Sequence, residues 1–237
     1  MLRHAAVRAW SFVSVTLVIS VASPAHAQTS LRATPEELPP EGPRSLVDVA
    51  LLGQYARVVD PARVSGLTNL GSFVLRSRLE VGTVPSYAAG VDGEIGGSDR
   101  GLVYGLTAYP VGIGARWGDS SVVSLRGGAG FDGVVDAVPL AARFPAELSV
   151  ALSLGPVRPV LWLRPSWVAG APSRKDGSSL SSVDELEAGA LVRLGRQHRY
   201  WGTTSAGGGF AVGVAYRELL GTRYLGVTLG FDFTGAR

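Results

Sequence analysis

The sequence predicts an all-β chain, an antiparallel transmembrane β-barrel of about 10 strands (8–12), following a cleaved signal peptide. Three observations carry that expectation. The run Tyr224 to Phe233 alternates without a slip, with Leu225, Val227, Leu229, Phe231 and Phe233 on one side and Gly226, Thr228, Gly230 and Asp232 on the other. A strand sends successive side chains to opposite faces, so this run has one wholly apolar face and one small or polar face. The N-terminus is laid out as an export signal. Between the two ends lie further alternating runs of about ten residues, the length a tilted strand needs to cross a membrane.

Arg3 and Arg8 give a basic start, and Trp10 to Val21 is apolar apart from scattered Ser and Thr. Pro24 and the triplet Ala25-His26-Ala27 follow, which predicts cleavage before Gln28. The apolar stretch is too short for a spanning helix, which needs roughly 20 such residues. Residues 1–27 are therefore read as a signal peptide, 28–45 as a tail and 46–237 as the β-barrel domain.

Without the signal peptide, 210 of the 237 residues remain, enough for one domain. They carry 20 basic and 19 acidic residues, and the basic ones do not cluster, so nothing points to nucleic acid as a partner. Cysteine is absent, so no disulfide framework is available to an exported chain. The 32 glycines are dispersed through apolar runs instead of gathered in linkers, and no apolar window after the signal is long enough for a spanning helix.

Residues 28–45 carry Pro35, Pro39, Pro40 and Pro43 with Glu36, Glu37 and Glu41. Proline neither donates to a ladder nor continues a helix, and the stretch has little apolar surface to bury. It reads as a flexible periplasmic tail, with a small plug entering the barrel as the alternative.

Ten strand-like runs follow. Val47, Val49, Leu51, Gly53 and Tyr55 share a face in the first, and Phe73, Leu75, Leu79 and Val81 oppose Ser72, Arg76, Arg78 and Glu80 in the second. Tyr87, Ala89, Val91 and Ile95 oppose Gly90, Asp92 and Glu94 in the third, which turns at Gly96-Gly97-Ser98-Asp99. In the fourth, Leu102 to Ala108 and then Val111 to Trp117 alternate with opposite parity, which implies a bulge or a turn at Tyr109-Pro110. Val123 to Phe131 is the fifth run, Leu148 to Leu154 the sixth and Val157 to Val168 the seventh. The polar stretch 170–182 reads as the longest exposed loop. Leu186 to Leu194, Phe210 to Tyr216 and Tyr224 to Phe233 complete the set.

A soluble sandwich would also alternate. Against it, charge recurs at mid-strand on one face, and aromatics recur near the ends of the other, as the rim of a membrane barrel requires. The lumen-facing candidates are Arg76, Arg78, Glu80, Asp92, Glu94, Arg126, Glu147, Arg164, Glu185, Glu187, Arg193 and Asp232. The lipid-interface aromatics are Tyr55, Phe73, Tyr87, Trp117, Trp167, Tyr216, Phe231 and Phe233.

From about Leu46 to Phe233 the chain resembles the small bacterial outer-membrane β-barrel proteins of roughly eight to twelve strands. The export signal, the alternation, the absence of Cys and the aromatic end at Phe231 and Phe233 carry the resemblance. It implies a Gram-negative outer-membrane location, with outer-membrane lipid and the assembly machinery as partners. That machinery reads the C-terminal strand, in which an aromatic is usually the last residue; here Thr234-Gly235-Ala236-Arg237 follow Phe233. The likeness is architectural and brings no residue-level function with it.

Two functional readings stand within this class: a structural barrel whose interior is filled by paired charges, and a narrow, porin-like passage for small solutes. Charges of near-balanced sign favour the first, and inward glycines such as Gly90, Gly112, Gly213 and Gly230 favour the second. A soluble periplasmic all-β binding protein is the alternative from another class, with a barrel hydrolase or acyltransferase behind it. After the signal peptide the chain has one histidine, His198, in a turn with no serine close in sequence, so no enzyme is expected and no catalytic residue is assigned. One His and no Cys speak against zinc, Asp176 and Asp184 lack regular calcium-loop spacing, and Gly127-Gly128-Ala129-Gly130 lacks the context of a phosphate loop, so no cofactor or metal is expected.

Overall fold

The computed structural model describes residues 45–60, 68–82, 84–117, 121–154, 156–170, 183–195, 199–201, 204–219 and 221–236, and no helix occurs among them. The strands are β1 (Ser45–Asp60), β2 (Asn69–Val81), β3 (Ser86–Ser98), β4 (Gly101–Trp117), β5 (Ser121–Val134) and β6 (Val138–Ala151). They continue with β7 (Val157–Ala169), β8 (Glu185–Gly195), β9 (Arg199–Trp201), β10 (Thr204–Leu219) and β11 (Thr222–Ala236). The expected signal peptide, the tail up to residue 44, the 171–182 loop, Asp176 and His198 lie outside the described residues.

Each strand pairs antiparallel with its neighbour, and β11 pairs with both β10 and β1, so ten strands close a ring. The three-residue β9 pairs only with β10 and stands outside it. Closure removes every free edge within the ring.

The register fixes the barrel's shape. Partners lead from Ser45 through Val81, Tyr87, Ile113, Leu125, Leu148, Leu163, Ala188, Tyr216 and Leu225 back to β1 at Arg57, twelve residues beyond the start. With strands about 4.8 Å apart and a rise of about 3.3 Å per residue, that stagger gives a tilt of about 40° and a radius of about 10 Å. Strand lengths of 11 to 17 residues then rise about 28–42 Å along the axis. One rim carries the start of β1 and is called the Ser45 end; the other carries the β3–β4 turn and is called the Asp99 end.

The parity change at Tyr109-Pro110 is a bulge inside one long strand. The β4–β5 register shifts between Ala108 and Val111, and Pro110 and Val111 both face outward. Proline lacks the N–H a ladder would use, so the extra residue falls where pairing is already interrupted. The sixth strand differs from the sequence expectation: β6 begins at Val138, ten residues before Leu148, and Leu152 and Leu154 lie beyond its end. Pro139 and Pro145 disguise its first half, although the β5 pairing runs through it, Gly127 to Ala146 and Gly130 to Arg143.

Polarity is inverted relative to a water-soluble barrel. Large apolar side chains stand exposed on the outer face of every strand of the ring, from Leu51 and Phe73 through Val111, Leu148 and Leu161 to Val227 and Phe233. The interior is polar at mid-height and apolar at the Asp99 end, where Ala56, Leu70, Val103, Val134, Ala141, Leu219 and Tyr224 form one buried cluster. Outward aromatics fall in two rows when counted along the register. Tyr55, Phe73, Phe131, Phe144 and Trp167 lie toward the Asp99 end, and Tyr87, Phe210, Phe231 and Phe233 lie roughly 15–20 Å nearer the Ser45 end.

Candidate functional site

The strands deliver their polar residues to one place, the lumen. Alternation fixes direction, and the twelve-residue stagger decides which inward residues meet at one height. At mid-barrel Arg78 holds Asp92 (Nη1–Oδ1, 2.6 Å) and Glu147 (Nη2–Oε2, 2.7 Å). Arg164 reaches Asp92 at 2.6 Å and Glu187 at 3.0 Å, and its Nε donates to Glu147 at 3.2 Å. Arg76 donates to Glu187 at 3.3 Å. These six groups come from β2, β3, β6, β7 and β8, so the layer ties strands that share no ladder.

Two aromatics brace the layer. Arg76 lies over the Trp162 ring, 4.6 Å from its centroid, while Arg78 and Arg164 lie 4.9 and 5.5 Å from the Tyr109 centroid. Delocalised guanidinium stacks well on such faces. Trp162 Nε1 also donates to Glu187 at 3.1 Å. Between β8, β10 and β1 the lumen at this height is closed by Ala50, Leu52, Leu191, Ala211 and Ala215, packed with Trp162 and Val74.

The inward glycines accommodate this filling. Gly90 is the ladder partner of Arg78, and a Cβ there would stand 2.9 Å from the Arg78 Cδ. Gly189 is the partner of Trp162, whose ring a Cβ would overlap. A missing side chain on one strand thus makes the space in which the neighbour's long side chain lies flat.

Two cavities flank the layer, with Arg76 bordering both. The one toward the Ser45 end is small, with an enclosed volume of about 40 Å³, and is lined by Asp48, Glu80, Arg126, Glu147 and Arg193 beside Val160, Trp162 and Leu191. The other, with an enclosed volume of about 30 Å³, lies toward the Asp99 end among Glu94, Asp132, Arg143, Glu187 and Arg217. There Arg217 binds Glu94 at 2.7 Å and Arg143 binds Asp132 at 2.8 Å, beneath the apolar cluster.

All twelve lumen-facing candidates lie inside the barrel, with Arg76 and Glu94 half-buried and the rest buried. Glu80 pairs with Arg126, Glu185 stands 3.5 Å from Arg143, and Asp232 stands 3.5 Å from Arg193. Sequence reasoning missed Asp48, Asp132, Arg143, Arg158 and Arg217 as members of the network, although Asp48 and Arg217 stand on the polar side of their runs. Of the eight aromatics, six are exposed on the outer face. Tyr216 is half-buried there and donates to Glu218 at 2.6 Å, and the side chain of Trp117 lies outside the described ones.

No protein-family model and no curated protein matches the chain.

Proposed function

We propose that this chain is an outer-membrane β-barrel whose lumen is closed, with a structural role in the bilayer rather than a solute passage. One observation carries the reading: the barrel is apolar outside and charged inside. A soluble monomer rarely exposes a contiguous apolar patch beyond about 300–600 Å², whereas here the apolar band runs round the whole ring. Lipid is the solvent in which such a band costs nothing, and a closed ladder is what lipid demands of strands. The two aromatic rows flank the apolar band as interfacial girdles do, though their spacing of roughly 15–20 Å is shorter than the band of about 25 Å usual in such barrels.

The closed lumen is argued from the mid-barrel layer, where each carboxylate takes guanidinium groups from other strands and Trp162 and the Leu52 cluster fill the rest. In this reading the signal at 1–27 delivers the chain, and the Ser45 end faces the periplasm with the 28–45 segment.

Outer-membrane fractionation with gel electrophoresis of unboiled and boiled samples tests the reading. A band in that fraction that shifts on boiling is the expected result. A soluble periplasmic band without a heat shift overturns the membrane reading and leaves a periplasmic binding protein in its place.

A further inference from the structure

We propose that the small cavity at the Ser45 end holds a single halide ion, chloride being the abundant one, with Arg193 as its principal ligand. Among the described residues, the charged side chains of its wall are Arg76, Arg78, Arg126 and Arg193 against Asp48, Glu80 and Glu147. Four positive charges thus meet three negative ones. The charged groups next behind the wall leave that surplus standing, because they cancel: Arg116, Arg158 and Arg164 against Asp92, Glu187 and Asp232. The cavity on the other side of the layer differs. Its wall sets Arg76, Arg143, Arg164 and Arg217 against Asp92, Glu94, Asp132 and Glu187, and is neutral. A guanidinium does not shed its proton in a protein, so a surplus among arginines is met by an anion or left unpaired.

The hydrogen bonds single out Arg193. Arg78 spends its donors on Asp92, Glu147 and the Ser77 carbonyl. Arg193 is only 6% exposed, yet neither its Nε nor its Nη1 has a hydrogen-bond partner among the described residues. Its nearest carboxylates, Asp48 and Asp232, stand at 3.5 Å. Asp48 is already gripped by Arg158, at 2.7 and 3.0 Å, and by the Thr234 hydroxyl at 2.6 Å. On the same wall the Nε groups of Arg126 and Arg76 are also buried without a partner. Donors left unfilled in a buried place cost free energy that an acceptor among them recovers. Cations find no place here, since each carboxylate of the wall already pairs with a guanidinium.

Size and wall chemistry then select the ion. The enclosed volume is about 40 Å³, and a water-sized body needs about 10–15 Å³ of such space. A monatomic ion fits, whereas an anion with a hydrocarbon body does not. A dianion brings a second negative charge against a surplus of one, and so meets Asp48, Glu80 and Glu147 unbalanced. Leu46, Val122, Ala151, Val160 and Leu191 give a hydration shell nothing to bond to, and Trp162 spends its N–H on Glu187. An entering ion therefore sheds water, which penalises strongly hydrated fluoride more than chloride or bromide.

Equilibrium dialysis of radiolabelled chloride against the folded full-length protein tests the proposal. The medium is a gluconate buffer, with or without mild detergent, that preserves the heat-modifiable form. Saturable retention of about one chloride per barrel is expected. Bromide should displace it with an affinity within about tenfold of chloride's own, and fluoride and sulfate at least about tenfold less well. Sulfate acts on proteins mainly through exclusion from their surface, so it separates a site from a general salt effect. Arg193→Gln should weaken chloride by about tenfold or more. Absence of saturable retention by the wild type, displacement by sulfate as strong as by bromide, or unchanged affinity in folded Arg193→Gln each overturns the site. Where the variant does not fold, the bromide and sulfate comparison on the wild type decides alone. The site lies inside the barrel, so its test does not depend on what the outer face meets.

Discussion

Arg78 and Glu147 face each other across the lumen in a two-point grip, Nε to Oε1 at 2.9 Å and Nη2 to Oε2 at 2.7 Å. Arg78 sits on β2 and Glu147 on β6, with three strands between them round the ring. The contact is therefore a chord through the barrel, independent of any ladder. Glu147 also takes Arg126 at 3.1 Å and the Nε of Arg164 at 3.2 Å, so one carboxylate anchors three strands to its own.

Removing that charge leaves three guanidinium groups facing a neutral amide. Breaking a buried ion pair by deleting one partner typically costs about 3–5 kcal/mol, because the surviving charge stays desolvated. Glu147→Gln is expected to lose that much, read as a lower urea midpoint for loss of the heat-modifiable form. Wild-type behaviour would mean that the layer is redundant.

The outer face gives the second expectation. Leu229 is 51% exposed on β11, between the two aromatic rows. In a bilayer, Leu229→Arg should cost about 2–4 kcal/mol, whereas Val135→Arg, in the turn after β5, should cost about 0–1 kcal/mol. A soluble barrel would tolerate both within about 0.5 kcal/mol. Refolding titrations into lipid vesicles distinguish the two cases.

A pH effect is expected at the Asp99 end. The Thr68 hydroxyl and the backbone N–H groups of Thr68 and Asn69 donate to Asp99, which holds its carboxyl below the usual carboxylate range. A lowered folded-state pKa means the contribution is present above about pH 4, the unfolded value, and is lost as pH falls through the folded value. Amide exchange at Thr68 and Asn69 should therefore accelerate at acid pH relative to strand amides. Asp99→Asn should show the faster exchange already at neutral pH, with no further acid change.

Much of this architecture is legible in the sequence, because alternation is a local property. Leu225 to Phe233 and Arg76 to Glu80 announce their faces without any knowledge of partners. Where proline interrupts the pattern, the signal fails: Pro139 and Pro145 hide half of β6, and Pro110 leaves bulge and turn equally open. The site is legible only as a list of inward charges. Which of them meet depends on the stagger of the whole ring, so the Arg78–Glu147 chord, spanning 69 positions, has no local trace. The glycines misled for the same reason. Gly90 looks like open space in the chain, but in three dimensions it lies beneath Arg78, as Gly189 lies beneath Trp162.

That relationship yields a fourth expectation. Gly189→Val places two methyl groups where the Trp162 ring lies. Overpacking of this kind costs about 1–3 kcal/mol, and it should push Trp162 off Arg76 and Glu187. A red-shifted tryptophan emission with reduced stability is the expected pair of readings. Unchanged emission would show that the ring does not occupy the lumen.

Conduction tests the closed lumen directly. Among the described residues, Arg164 is the one side chain that joins Asp92, Glu147 and Glu187, and it stacks on Tyr109 as well. Arg164→Ser shortens that side chain to a hydroxymethyl group and leaves the three carboxylates with less positive charge between them. Water entering the gap would join the cavities on either side of the layer, and the excess carboxylates would favour cations. In planar bilayers the wild type is expected to show no conductance steps, while Arg164→Ser should show small cation-selective ones. Steps of equal size in both proteins would mean that the passage is already open, and the structural reading would give way to the porin-like one.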